Sequence, residues 1–172
     1  ATPKYRYKLH VELDEKLRQV AAAVASDERL VREEPGEGRL GIVAAGVLRG
    51  IVADFARSRG LSLPILHVGM PFPLPKDRVA EFVARHDRVL VLEETSGVIE
   101  LQLSDKSRVD GRWNGFVPDE GELDGARVTD LLVRFLGLAQ PPAPVKTPEA
   151  FAREPRRPTL CPGCPHRNSF YA

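Results

Sequence analysis

From residue 39 to residue 93 the chain alternates short, two-sided apolar runs with longer segments whose apolar residues recur every three or four positions. Leu40-Gly41-Ile42-Val43-Ala44-Ala45, followed by Gly46, is the first such run. A run without a polar face reads as a strand covered on both sides, the usual situation in a parallel sheet. Val47, Leu48, Ile51, Val52 and Phe55 then follow helical spacing up to Gly60, a C-terminal stop. The cycle repeats with Pro64-Ile65-Leu66-His67-Val68-Gly69 and a helix opened by Pro75 and Lys76 that runs through Val79, Phe82 and Val83 to His86. Arg88-Val89-Leu90-Val91-Leu92-Glu93 is the third strand. Successive strand and helix units of this kind predict an α/β fold, an open, mostly parallel sheet with right-handed crossovers and helices on both faces.

The flanks are read from the same periodicities. Val11, Leu13, Leu17, Val20 and Val24 predict an amphipathic helix over 11–29 with Asp14 as its N-cap. Glu33-Glu34-Pro35-Gly36-Glu37-Gly38 breaks it, so residues 1–38 read as a helical connector and the domain proper as 39–138. Beyond Glu94 the pattern over 98–103 fits a short helix or a strand, with helix favoured, followed by a short strand within 107–112 and a loop over 113–121. A closing helix follows, on Leu123, Val128, Leu131, Leu132, Phe135 and Leu136, stopped by Gly137. Residues 139–158 are a proline-rich, basic linker, and 159–172 begin another domain.

Composition narrows the class. The 172 residues are 42% hydrophobic and 28% charged, with a net charge of +1, which describes a globular chain with a real core. Acidic and basic residues are interspersed, so no field is expected to draw in nucleic acid or an anionic bilayer. No apolar run reaches the roughly 18 residues of a membrane span. Two cysteines do not make a disulfide framework, and a reducing cytoplasm is the default expectation.

Those cysteines carry the most specific chemistry. In Cys161-Pro162-Gly163-Cys164-Pro165-His166-Arg167 the two thiolates are spaced to turn both sulfurs toward one zinc ion or iron-sulfur cluster, and a redox dithiol uses the same spacing. Either metal centre needs further ligands. His166 is one candidate, whereas Arg167 beside it suits an anion such as a diphosphate. The stranded pair marks the chain as an internal piece of a longer polypeptide.

Other positions are defined by topology. Ligands of open α/β sheets bind beyond the carboxyl ends of the strands, which selects Ala45, Gly46, Gly69, Met70, Glu93 and Glu94. Gly41, Gly46 and Gly50 match neither a dinucleotide fingerprint nor a phosphate loop, and tight strand-to-helix packing accounts for them. Neighbouring strand residues point to opposite faces, so Glu93 and Glu94 are not an acid–base pair. A carboxylate there caps the next helix or meets a neighbouring domain. His67 reads as a satisfied core histidine. Met70-Pro71-Phe72-Pro73-Leu74-Pro75 is a stiff turn, suited to a fixed interface or simply to a rigid connection.

Taken in order, Leu40 to Gly46, Val68 to Pro75, Val89 to Glu94 and Leu160 to Arg167 resemble the large (alpha) subunit of indolepyruvate:ferredoxin oxidoreductase, a thiamine diphosphate enzyme. One departure is Ala45, where serine is usual. The resemblance implies that residues 39–138 are a transketolase C-terminal-like domain and that 159–172 open the thiamine diphosphate-binding domain. It implies a complete enzyme that oxidatively decarboxylates aryl 2-oxo acids such as indolepyruvate to acyl-CoA, with CoA and ferredoxin as partners and a smaller beta subunit beside it. Thiamine diphosphate, Mg2+ and a 4Fe-4S cluster are the implied cofactors. Cys161 and Cys164 would be metal ligands and His166 and Arg167 would contact cofactor, while Gly46, Gly69, Met70, Phe72, Glu93 and Glu94 would face neighbouring domains. This piece alone would be inactive, an assembly module. Two rivals stand beside this reading: a flavodoxin-like nucleotide-binding module explains the sheet, and a zinc-binding adaptor explains the cysteines.

Overall fold

A computed structural model describes residues 3–94 and 96–139. After a 3-10 turn at Pro3–Tyr5 come α1 (Arg6–Ser26), β1 (Val31–Glu34), β2 (Leu40–Ala45), α2 (Leu48–Arg59), β3 (Ile65–Val68), α3 (Lys76–Ala84), β4 (Arg88–Leu92), α4 (Val98–Gln102), β5 (Val109–Asp110) and α5 (Gly125–Leu136). Among the described residues these strands form one sheet in the order β1-β3-β2-β4-β5. β2, β3, β4 and β5 pair in parallel, and β1 joins the β3 edge antiparallel.

Alternation along the strands divides the core in two. Ile42, Ala44, Ile65, Leu90 and Leu92 face α2 and α5, meeting Leu48, Val52, Phe55, Val128, Leu132 and Phe135. Val43, Leu66, Val68, Val89 and Val91 face the other way, against Val79 and Phe82 of α3 and Ile99 of α4. Two covered faces are the reason the central runs are apolar at every position. Helices α2 and α5 end in left-handed glycines, Gly60 at φ 62° and Gly137 at φ 65°, and α5 opens with Asp124 accepting from the Arg127 N–H at 2.8 Å.

Two expectations are corrected. The stretch over 31–34, read as the end of a connector and the start of a break, is the edge strand β1, with Val31 opposite Val68 and Glu34 opposite Ile65. Its sequence holds one apolar residue, Val31, because an edge strand with one covered face needs little more. The first helix starts at Arg6 after Tyr5, so Asp14 lies inside it and is not its N-cap. Only Val24 of α1 is buried, and Val11, Leu13 and Val20 are exposed although the pattern had assigned them to a core face.

Residues Cys161, Cys164, His166 and Arg167, and the linker after residue 139, lie outside the described residues. Among the described residues no helix is long and apolar enough to cross a membrane.

Candidate functional site

The carboxyl ends of β2, β3 and β4 lie side by side in the sheet, and each is shaped by its own local chemistry. β2 runs into Gly46, whose φ of 57° turns the chain sharply into α2; a side chain there would be strained. β3 runs into Gly69, whose N–H donates to the Leu30 carbonyl at 2.6 Å. A β-carbon on Gly69 would stand 3.1 Å from that same oxygen, so the glycine allows the backbone leading into β1 to close over the strand end.

The proline turn after Gly69 is tied down by a residue the sequence had not singled out. The Gln102 side chain at the end of α4 donates to the carbonyls of Pro71 at 2.7 Å and Val98 at 2.8 Å, and its Oε1 accepts the Leu74 N–H at 3.0 Å. Leu74 is thereby held in the core, while Phe72 is 56% exposed at the apex of the turn and Met70 is half-buried. Val47 and Leu101 add exposed apolar surface in the loops and helix that follow β2 and β4.

The two glutamates divide as alternation requires. Glu94 is exposed. Glu93 is buried and accepts the N–H groups of Ile99 at 2.8 Å and Glu100 at 3.2 Å, so it caps α4. Its carboxylate therefore serves its own domain. Glu100 is buried next to it and accepts the backbone N–H groups of Arg112 at 2.9 Å and Trp113 at 2.8 Å. The Arg112 guanidinium completes the cluster by donating to the Glu93 carbonyl at 3.3 Å and to that of Pro118.

Burial raises the Glu93 pKa above the ordinary glutamate value, against the opposing pull of the N–H groups it accepts from. A carboxyl raised on folding binds more protons in the folded than in the unfolded chain across that interval. Its contribution to stability is full below the ordinary value and declines as pH rises through the elevated one. The urea midpoint should fall over this range in the native chain, and Glu93→Gln should flatten that fall; an unchanged slope would show that Glu93 does not titrate this way.

Gly46 and Gly69 meet at one small cleft, together with His67, Arg29, Arg32 and Arg49. Met70, Phe72 and Glu94 are not among its walls. His67 is 3% exposed, as a core histidine should be, but it is not satisfied: among the described residues neither ring nitrogen has an aligned hydrogen-bond partner. The three arginines and Gln102 were absent from the sequence-derived set, because their meeting depends on the edge strand β1 and on the α4 connection.

No protein-family model matches the chain. The indolepyruvate oxidoreductase subunit IorA of Archaeoglobus fulgidus is 32% identical over 99% of this chain, and that of Methanothermobacter marburgensis is 32% identical over 100% of it. Over essentially its whole length the chain is similar to these IorA subunits. It spans 28% of the length of these two relatives. A 2-oxoglutarate:ferredoxin oxidoreductase from Magnetococcus marinus, solved with 2-oxoglutarate, coenzyme A and succinyl-CoA bound, shares the fold. Its TM-score is 0.53 at 16% identity, over 78% of this chain and 24% of that one.

The described part of this chain gathers no group of three or more His, Cys, Asp or Glu side chains able to hold a metal ion. The cysteine pair stands outside the described residues.

Proposed function

We propose that this chain is a segment of a thiamine diphosphate-dependent 2-oxoacid:ferredoxin oxidoreductase that acts on aryl 2-oxo acids such as indolepyruvate, and that the α/β domain, read from the sequence as 39–138 and joined by strand β1, serves it as an assembly domain. The observation that carries the reading is the 32% identity to IorA subunits sustained over essentially the whole chain. Within the complete protein, thiamine diphosphate with Mg2+ would supply the carbanion chemistry of 2-oxo acid decarboxylation. His166 and Arg167 would contact the diphosphate. Cys161 and Cys164 would contribute two ligands to a 4Fe-4S cluster, electrons would leave to ferredoxin, and CoA would take the acyl group, with a smaller beta subunit completing the enzyme.

The assembly role rests on surface chemistry. Phe72, Val47 and Leu101 are large apolar side chains exposed at 56%, 68% and 81%, Phe72 on the proline turn braced by Gln102, Val47 at the start of α2 and Leu101 on α4. Apolar surface held rigidly and left open is a mark of a protein interface.

Activity assays on the complete protein, supplied with thiamine diphosphate, Mg2+, indolepyruvate and CoA, should show ferredoxin reduction and an arylacyl-CoA product. Absence of both would reject the activity. The assembly role has its own measurement: Phe72→Ser should leave the unfolding of the present chain within about 0.5 kcal/mol of native while lowering the thermal stability of the complete enzyme. An unchanged complete enzyme would reject the interface.

A further inference from the structure

The cleft beside His67 follows from strand register. Arg32 of β1 and Ala44 of β2 stand opposite His67 on its two sides, at the roughly 5 Å separation of directly paired residues. Ala44 is small and Gly46 and Gly69 carry no side chain, so space is left beside the ring, a cleft of about 90 Å3. Its chemistry is one-sided. Arg29 is paired with Asp27 at 2.6 Å and Arg32 with Glu34, but Arg49, in the first turn of α2, has no carboxylate partner among the described residues. The twelve-residue helix α2 also starts without a side-chain cap; its Arg49 and Gly50 N–H groups donate to the Gly46 carbonyl at 3.4 Å and the Val47 carbonyl at 3.1 Å, so what it offers an anion is the positive end of its dipole.

His67 is the second, independent sign. Its Nε2 stands 3.1 Å from Glu34 Oε1, out of hydrogen-bond alignment, and its Nδ1 has no partner among the described residues. Leaving a buried polar nitrogen unpaired costs about 1–3 kcal/mol, so the position favours a partner beyond the described residues.

We propose that this cleft binds a phosphate group, held by the Arg49 guanidinium and the Nδ1–H of His67 at the positive end of α2. Cation, helix terminus and buried donor all favour an anion, and the cleft is too small for more than the charged group itself. The rest of a larger phosphorylated molecule would extend outward over exposed Gly46 and Gly69. The site stands whether or not the family activity does, since its argument uses only the geometry of β1, β2, β3 and α2.

Proton coupling follows. Burial holds the His67 pKa below the ordinary histidine value; Glu34 opposes this, and Arg49 and Arg32 add to it. An anion between the ring and the arginines reverses their effect and favours the imidazolium, which then donates from both nitrogens. Binding therefore takes up a proton and tightens as pH falls toward the ordinary histidine range. Glu34, Arg32, Arg49 and Arg29 are the charged groups around the ring that set this response.

The test is a titration of the full chain with inorganic phosphate at constant ionic strength, following the His67 ring and the backbone amides of residues 46–49 by NMR. Saturable shifts in both sets are expected, together with a rise in the His67 pKa. Arg49→Gln should weaken binding about tenfold, the loss of one charge-assisted hydrogen bond. Arg57→Gln, at the far end of α2 and paired with Asp54, should bind as native. Sulfate, whose charge is constant near neutrality, should bind more tightly at lower pH. A second arm with ADP separates the sources: tighter binding than phosphate with the same Arg49 dependence identifies a phosphoester, and equal or weaker binding identifies the free ion. Shifts that chloride reproduces, or an affinity indifferent to Arg49→Gln, would overturn the proposal.

Discussion

Phe82→Ala should destabilise the chain by about 3–5 kcal/mol, the usual cost of emptying a buried aromatic site. Phe82 is fully buried on the α3 side of the sheet, its ring 4.4 Å from that of His86, and a β-carbon on Gly41 of β2 would reach within 2.8 Å of it. The phenylalanine thus fills the space that Gly41 leaves open. Phe72→Ala is the matched control, since it deletes the same atoms from a side chain that is 56% exposed. Its cost should stay within about 0.5 kcal/mol. Urea midpoints of the two variants check this, and similar losses from both would contradict the division between a packed α3 face and an open proline turn.

Glu100→Ala should cost about 2–5 kcal/mol, although the residue sits on a helix of only five residues. The buried carboxylate is the acceptor for the N–H groups of Arg112 and Trp113, and its removal leaves both without a partner. Gly111→Ala reaches the same network from the other side, because its new β-carbon would lie 2.2 Å from Glu100 Oε1 and must displace the carboxylate. The neighbouring Leu101→Ala, at an 81% exposed position, should be close to neutral. If Glu100→Ala unfolds at the same urea concentration as Leu101→Ala, the network does not hold the segment between β4 and β5 together. Beyond stability, this network fixes α4, and through Gln102 it fixes the proline turn, so the surface offered by Phe72 depends on a carboxylate some distance from it in sequence.

How far each feature was legible depends on whether its cause was local. β2, β3 and β4 could be read because burial on two faces demands apolar residues at consecutive positions, and α2 and α5 because glycines at 60 and 137 end them. The capping role of a carboxylate at the end of β4 was also legible, since alternation allows only one of Glu93 and Glu94 to turn inward. β1 was not, because Val31-Arg32-Glu33-Glu34 is as consistent with a charged loop, and only the free edge of β3 makes it a strand. The exposed face of α1 was misjudged for a related reason: periodicity reports that an apolar stripe exists, while its burial requires a surface to receive it.

The chain order of apolar runs and stops determined the α/β class, the parallel centre of the sheet and the ends of its main helices, and the IorA resemblance could be read from four short segments. Tertiary structure decided which side chains meet. Arg32 stands beside His67 through antiparallel register, Arg49 reaches the same cleft through the turn at Gly46, and Gln102 braces Pro71 and Leu74 across the α4 connection. A strand's local pattern constrains which face a residue occupies, but the neighbour across the ladder is chosen by register, and register is a property of the assembled sheet.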